Sequence, residues 1–439
     1  MDGTQSSKDI STRLQKIATV ASRRPKLALT TLAHHMDETW MLEAYRRTRK
    51  DGAVGVDGAT AEEFAANLEG NLRALLDEVK AGTYRAPPVR RVYIPKDGGK
   101  TRPIGIPTFR DKVLQRGVAM VLEAVYEQDF LDCSYGFRPG RSPHQALETL
   151  RQRATAMGGC WVVELDIQSF FDTMGHVHLR EILQGRIRDG VLCRLIGKWL
   201  NAGVLEEGVV RHSEQGSPQG GVISPILANI LLHEVLDEWF ETVVKPRLIG
   251  RAFMVRFADD AVLGFSTEED ARKALAVLPK RFGKYGLTLH PEKTRLEDFR
   301  RPASGRPPPG SFDFLGFTHY WATTRNGGLT IKRRTMKKRL GRAIHRIWEW
   351  CRENRHEPIA KQHEELGRKV VGHYQYYGIT GNFPSLVHYW RAVERAWQFW
   401  LNRRSQRAHM TWERFKRLLE QLALPRPRIT HSTYRVANP

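Results

Sequence analysis

Two apolar runs, Ala252-Phe-Met-Val-Arg-Phe257 and Ala261-Val-Leu-Gly-Phe265, enclose the acidic pair Asp259-Asp260. Apolar strands that enter and leave a two-acid turn predict a tight β-hairpin with its carboxylates at a rigid tip. Adjacent strand residues point to opposite faces, so only the turn can bring both acids to one side. A related feature lies upstream, where Trp161-Val-Val-Glu-Leu-Asp-Ile167 reads as a buried-type strand carrying Asp166. A carboxylate among Val162, Val163, Leu165 and Ile167 is costly to bury unless it is paired, hydrogen-bonded or metal-bound. Each acid also has a plainer reading: Asp166 as a strand-end carboxylate facing water, and Asp259-Asp260 as an ordinary polar turn. Taken together, a third carboxylate from a neighbouring strand would complete a hard oxygen site suited to Mg²⁺. Two such ions about 3.5–4 Å apart can activate a hydroxyl and stabilise a leaving phosphate, so the spacing is compatible with two-metal phosphoryl transfer.

The rest of the chain supplies a frame for such a site. Residues 8–50 read as helical, with Leu14, Ile17, Val20, Leu32, Met36 and Trp40 at helical spacings, and a short helix follows over 61–80. Val89 to Pro95 alternates as a strand, Asp97-Gly-Gly-Lys100 supplies turn chemistry, and 102–107 is a second extended run. Helical spacing returns over 110–130, 144–154 and 176–202. Arg301 to Gly310 is rich in Pro and Gly and reads as a loop. Ile331 to Asn354 fits a basic amphipathic helix, with Met336, Leu340, Ile344, Ile347 and Cys351 in one stripe and Lys332, Arg339, Arg342 and Arg346 elsewhere. This order predicts an α+β fold over the first 320 residues and an all-α region beyond.

Charge separates the two parts. The 439 residues carry a net charge of +22. Residues 301–439 hold 27 Lys and Arg against 9 Asp and Glu, together with seven of the eleven tryptophans. A basic surface with interleaved aromatics favours a polyanion partner over a merely solvated face. No strongly apolar amphipathic segment accompanies the charge, so nucleic acid is favoured over an anionic membrane. No apolar run approaches the roughly 18 residues that span a bilayer, and residues 1–16 have no secretory-signal core. Cys133, Cys160, Cys193 and Cys351 are far apart with no C-x-x-C pair, which fits a reducing cytoplasm better than a disulfide or zinc framework. Gly98-Gly-Lys-Thr101 ends like a phosphate-binding loop, but Ile94 stands where the first glycine is required. The sixteen histidines show no metal-binding spacing.

Several segments, in order, resemble the reverse transcriptases. Leu165-Asp-Ile-Gln-Ser-Phe-Phe-Asp172 is similar to their first catalytic motif, Gln215 to Ile230 to the nucleotide-pocket motif, and Arg256-Phe-Ala-Asp-Asp260 to the aspartate-pair motif. Gly286-Leu-Thr-Leu-His-Pro-Glu-Lys-Thr294 and Phe312-Asp-Phe-Leu-Gly-Phe317 resemble the two later palm motifs, the second being the primer grip. Ile94-Pro-Lys, Arg102 to Pro107 and Ser134-Tyr-Gly-Phe-Arg-Pro-Gly-Arg-Ser142 resemble finger segments of the group II intron-encoded branch. Val371 to Tyr377 and Leu401 to Ser405 resemble that branch's maturase-specific domain. The likeness spans about residues 50–430 and preserves motif order.

The resemblance implies a right-hand polymerase: an N-terminal extension (1–85), fingers and palm with an antiparallel sheet plus helices (86–325), a helical thumb and maturase region (326–425) and a tail (426–439). It implies that Asp166, the Ile167 carbonyl, Asp259 and Asp260 hold two Mg²⁺ ions. Lys96 and Arg102 would grip the triphosphate, Phe171 would exclude a 2′-hydroxyl by bulk, and Gln219 and Gly220 would line the incoming nucleotide. Lys293 would protonate the departing pyrophosphate, and Phe314, Leu315 and Gly316 would form the primer grip. Phe171 as plain core and Lys293 as a solvated turn residue are the competing structural readings. Lys332, Arg339, Arg342 and Arg346 would face RNA, and the helix over 331–354, which carries Trp348 and Trp350, would form a wall of the duplex channel; the two tryptophans do not share a helical face, so at least one of them reads as core. Trp390, Trp397 and Trp400 read mainly as core.

The implied partners are an RNA template with a DNA primer, dNTPs, group II intron RNA and target DNA. Two departures stand out: Phe257 replaces the more usual Tyr, and Gln168-Ser169 replaces an expected Lys-Gly. The Cys/His pattern of the nuclease domain that some relatives carry is missing, so no intrinsic DNA endonuclease is expected. The competing functions are a splicing cofactor without polymerase activity and a domesticated reverse transcriptase in phage defence or repair.

Overall fold

The computed structural model describes residues 3–25, 27–95, 101–206, 209–211, 220–303, 309–324, 326–405 and 409–432. The chain divides into two compact units. The first comprises Met1–Ser142, Val163–Leu263 and Glu268–Arg295; the second comprises Pro143–Val162, Gly264–Thr267 and Leu296–Pro439.

The first unit begins with helices α1 (Gly3–Arg23) and α2 (Glu38–Arg47). The helical pattern expected over 8–50 is broken after Arg23, where Pro25 cannot continue an α-helix. Asp37 restarts it, its side chain accepting from Trp40 N at 2.9 Å. The region 61–80 is two helices, α3 (Ala61–Ala66) and α4 (Leu68–Lys80), the first opened by a reciprocal Thr60/Glu63 capping box. Strands β1 (Val89–Pro95) and β2 (Thr101–Ile106) pair antiparallel, as their alternation predicts. Helix α5 (Phe109–Tyr126) follows and is buried on most of its surface, with the fully buried Trp40 donating to Gly117 O at 3.0 Å.

In the second unit α6 (Pro143–Ala156) precedes β3 (Gly159–Leu165), a strand that runs back into the first unit. Beyond it come α7 (Phe170–Thr173), α8 (His176–Arg186) and α9 (Gly190–Leu200). The single helix expected over 176–202 is therefore two. Asp189 explains the break: its carboxylate accepts from Val191 N and Leu192 N at the start of α9, and from Leu32 N and Ala33 N of a distant loop. Short strands β4 (Val204–Glu206) and β5 (Val209–Arg211) complete a sheet of order β2-β1-β4-β5. Helix α10 (Ser224–Leu232) continues through π-helical turns to Val244. The hairpin strands β6 (Ala252–Phe257) and β7 (Asp260–Phe265) follow, then α11 (Glu268–Gly283). With β8 (Arg295–Arg300) the order of the second sheet is β6-β7-β3-β8.

The rest of the second unit has strands β9 (Phe312–Phe314), β10 (Phe317–Thr323) and β11 (Leu329–Thr335), an antiparallel sheet with β10 in the middle. Helices α12 (Lys337–Glu353), α13 (Ile359–Tyr377), α14 (Phe383–Leu401) and α15 (Trp412–Gln421) then pack around Leu366, Val370, Leu386, Val393, Trp397 and Phe415. The helix expected from Ile331 thus begins six residues later, and helices alone begin at Lys337 rather than near 320. Ile331, Arg333 and Thr335 are buried while Arg334 is exposed, a period of two that places this stretch in a sheet. Lys332 consequently lies on β11, not on the helix, and its ammonium donates to Thr323 O at 3.0 Å. Trp397 is core, as expected, and Trp348, Trp350, Trp390 and Trp400 pack partly buried against the same cluster.

Candidate active site

The hairpin and the end of β3 supply the three aspartates. Asp259 lies in the connection between β6 and β7, and Asp260 opens β7. The preceding Ala258 holds φ at +56°, a left-handed conformation that a non-glycine residue adopts only under constraint. Asp166 directly follows the last residue of β3. Its backbone carbonyl accepts from His290 N at 2.8 Å, Gln168 N donates to Thr288 O at 2.8 Å, and Ile167 bridges Leu289. The segment 288–290 is therefore strapped along residues 166–168. The same segment delivers Lys293, whose Nζ stands 2.9 Å from Asp166 Oδ2.

Electrostatics ties the two acidic positions together. Burial pushes the Asp259 carboxyl above the ordinary carboxylate range, and repulsion from Asp166 adds to the rise. The backbone N–H of Asp259 itself, Arg102 and Arg256 pull in the opposite direction. Asp259 thus feels the charges of Asp166 and Arg102, which lie 93 and 157 residues away in the chain. Among the described residues no group of three or more His, Cys, Asp and Glu side chains stands in a metal-holding arrangement. The carboxylates and the Ile167 carbonyl offer only hard oxygen donors, which suit a divalent cation of the Mg²⁺ type.

Around this centre, Arg102 projects from β2 and is exposed. Phe171 lies in α7, half-buried, with its ring 5.3 Å from that of Phe170; of the two, Phe170 is the core residue. Gly220 has φ of +116°, and a Cβ there would meet Gly105 O at 2.7 Å, so the backbone approach requires glycine. Lys96 and Gln219 lie outside the described residues. The expected grip residues form the turn between β9 and β10: Phe314 is buried, and Leu315 and Gly316 both take positive φ. Tyr376 Oη donates to Leu315 O at 2.8 Å, and Met336 N donates to Gly316 O at 3.0 Å.

Several supporting residues were not singled out from the sequence. Gln115, buried in α5, accepts from Val222 N at 2.9 Å and from Ile223 N at 3.4 Å, just after Gly220. Arg256 is wholly buried and pairs with the equally buried Asp237. Its sequence signal is a lone cation in an otherwise apolar strand, the counterpart of the carboxylate at Asp166.

A family description, reverse transcriptase (RNA-dependent DNA polymerase), matches residues 94–319, just over half of the chain. The chain belongs to the reverse transcriptase family. This member of the family is 42% identical over 232 residues to Protein YkfC of Escherichia coli (strain K12), a match covering 51% of the chain and 61% of YkfC. It is 44% identical over 183 residues to the group II intron-encoded protein LtrA of Lactococcus lactis subsp. cremoris, covering 41% of the chain and 30% of LtrA. To Nuclear intron maturase 2, mitochondrial, of Arabidopsis thaliana it is 27% identical over 233 residues, covering 44% of the chain and 30% of that protein. The matched region is thus less than two thirds of the length of each of these relatives.

Outside the matched region, α12 of this family member exposes Arg339 and Arg346 and leaves Arg342 half-buried, while Ile347 and Cys351 face the helical core. No helix among the described residues is long and apolar enough to cross a membrane.

Proposed function

We propose that this reverse transcriptase copies RNA into DNA by adding deoxynucleotides to a primer 3′-hydroxyl, and that it binds group II intron RNA to assist splicing and mobility. The observation that carries the first part is geometric: β7, which Asp260 opens just after Asp259, pairs with β3, which Asp166 directly follows, in a chain of this family. Asp166, the Ile167 carbonyl, Asp259 and Asp260 are the donors that would hold two Mg²⁺ ions. When bound, such ions activate the attacking hydroxyl and neutralise the leaving pyrophosphate.

The protein's own groups do the rest. Arg102 takes the triphosphate through its planar fork, with Lys96 as its partner. Gly220 and Gln219 line the nucleotide, and Phe171 blocks a 2′-hydroxyl by bulk. Lys293 counters the charge of Asp166 and delivers a proton to the departing pyrophosphate. The turn at Phe314, Leu315 and Gly316 steadies the primer end.

Residues 86–325 would act as fingers and palm, preceded by the 1–85 extension, and 326–425 as thumb and maturase region ahead of the 426–439 tail. Within the latter, Arg339, Arg342 and Arg346, joined by Lys332 from β11, neutralise RNA phosphates and release counterions. Structured RNA is then distinguished by shape, 2′-hydroxyl contacts and stacking. Target DNA is the second polyanion in this scheme, and the cytoplasm its setting. The test is extension of a DNA primer on an RNA template by the purified full chain with dNTPs and Mg²⁺. Product that grows with the template supports the reading; none under any divalent-ion condition refutes it.

A further inference from the structure

We infer that Arg256 and Asn229 are positioning residues that lock the Ala258-Asp259 turn in its left-handed form, so that the Asp259 carboxylate is held in place before substrate or metal arrives. The inference rests on the assignment of Asp259 to the polymerase centre. Its basis is a fully saturated cation. A guanidinium has five N–H donors, and all five of Arg256's are used: Nε to Asp237 Oδ1 (2.7 Å), Nη2 to Asp237 Oδ2 (2.5 Å) and Ser134 Oγ (2.8 Å), and Nη1 to Asn229 Oδ1 (3.0 Å) and Ala258 O (2.9 Å). Arg256, Asp237, Asn229 and Ser134 are all at 0% exposure. A buried ion pair of this kind gives little net stability against an apolar replacement of the same shape. What it supplies here is geometry: one planar group joins β6, α10, its π-helical continuation and the loop at 134 to the carbonyl just before Asp259.

Asn229 closes the lock from the other side. Its Nδ2 donates to Gly136 O at 2.7 Å. Gly136 in turn lies so close to the turn that a Cβ on it would fall 2.3 Å from Ala258 N. Backbone bonds keep the two segments in register, Arg256 N to Cys133 O at 2.7 Å and Tyr135 N to Arg256 O at 2.9 Å. Ala258 therefore sits between the guanidinium on its carbonyl and the Gly136 backbone on its amide. That enclosure over-determines a φ of +56°, which an alanine would leave if released. A release that displaced the Asp259 carboxylate by about 1 Å would cost on the order of 100-fold in rate.

Two full-length variants test this. Arg256→Lys keeps a cation against Asp237 but loses the fork to Ala258 and Asn229. Asn229→Ala keeps the whole ion pair and removes only the link to Gly136 and one acceptor. In each, kcat for RNA-templated extension should fall about 10- to 100-fold. The Mg²⁺ concentration for half-maximal rate should rise several-fold, while primer–template affinity by fluorescence anisotropy stays within about twofold. Adding Ala258→Gly to Asn229→Ala should restore part of the lost kcat, because glycine takes positive φ without support. The inference is overturned if the folded variants keep kcat and Mg²⁺ midpoint within about twofold of wild type. It is equally overturned if the loss only tracks the fraction of unfolded protein. Should Arg256→Lys fail to fold, Asn229→Ala decides alone, since its buried ion pair is intact. Failure of the underlying assignment looks different: Asp259→Ala would then leave extension unchanged, whatever the two variants do.

Discussion

Lys293 Nζ lies 2.9 Å from Asp166 Oδ2, pairing the acid just after β3 with a cation 127 residues away. The lysine side chain is 54% exposed, so the pair adds little to folding, within about 1 kcal/mol. Its value is chemical. Lys293→Met should leave thermal stability nearly unchanged yet slow the single-turnover rate of nucleotide addition by about 100-fold or more. An unchanged rate would remove Lys293 from the mechanism and leave it as a surface lysine.

The turn of Leu315 and Gly316 is held from α13. Tyr376 Oη donates to Leu315 O at 2.8 Å, and a Cβ on Gly316 would approach Tyr377 Oη to 3.3 Å. Tyr376→Phe removes one hydrogen bond, about 1 kcal/mol, corresponding to roughly fivefold weaker primer–template binding if that energy serves the grip. KM for dNTPs should not move. A change confined to dNTP KM would place Tyr376 at the nucleotide instead.

His319 is buried against Phe312, rings 4.8 Å apart and 3° from parallel, with neither ring nitrogen hydrogen-bonded among the described residues. Burial, with Arg333 nearby, lowers its pKa from 6.5 to about 3. The unfolded chain thus takes up a proton near pH 6.5 that the fold refuses until about pH 3. The associated stability is complete above pH 6.5 and is lost as pH falls towards 3. His319→Phe should remove this acid sensitivity and stabilise the fold by about 1 kcal/mol or more at neutral pH. Denaturant melts of both proteins at pH 7.5 and 5 check it; parallel losses in the two would contradict the account.

Arg339 and Arg346 are exposed on α12. Replacing both with Gln should weaken RNA binding across sequences and reduce the slope of log affinity against log salt by about 1 per residue. An unaltered salt slope would exclude this helix face from the RNA path.

How far the sequence alone reaches can be seen at particular residues. The hairpin around Asp259 and the strand before Asp166 are legible because acids interrupt otherwise apolar strands. The antiparallel pairing of 89–95 with 101–106 is legible for a similar reason, alternation on either side of turn residues. Local patterns mislead where one residue overrides its neighbours: Pro25, Asn67 and Asp189 each divide a stretch of continuous helical spacing. The run at 331–335 carries few apolar residues, so a period of two in Ile331, Arg333 and Thr335 passes for helical spacing. Other features depend on contacts that no local window contains. The Lys293–Asp166 pair and the five bonds of Arg256 join segments 19 to 127 residues apart, save one local bond to Ala258 O.

Everything proposed for the polymerase centre converges on the carboxylate of Asp259. The direct measurement compares wild type and Asp259→Ala in primer extension on RNA, alongside RNA binding of both proteins by anisotropy. The account predicts that extension falls by at least about 1,000-fold while RNA affinity is unchanged. Extension by Asp259→Ala at the wild-type rate would contradict it.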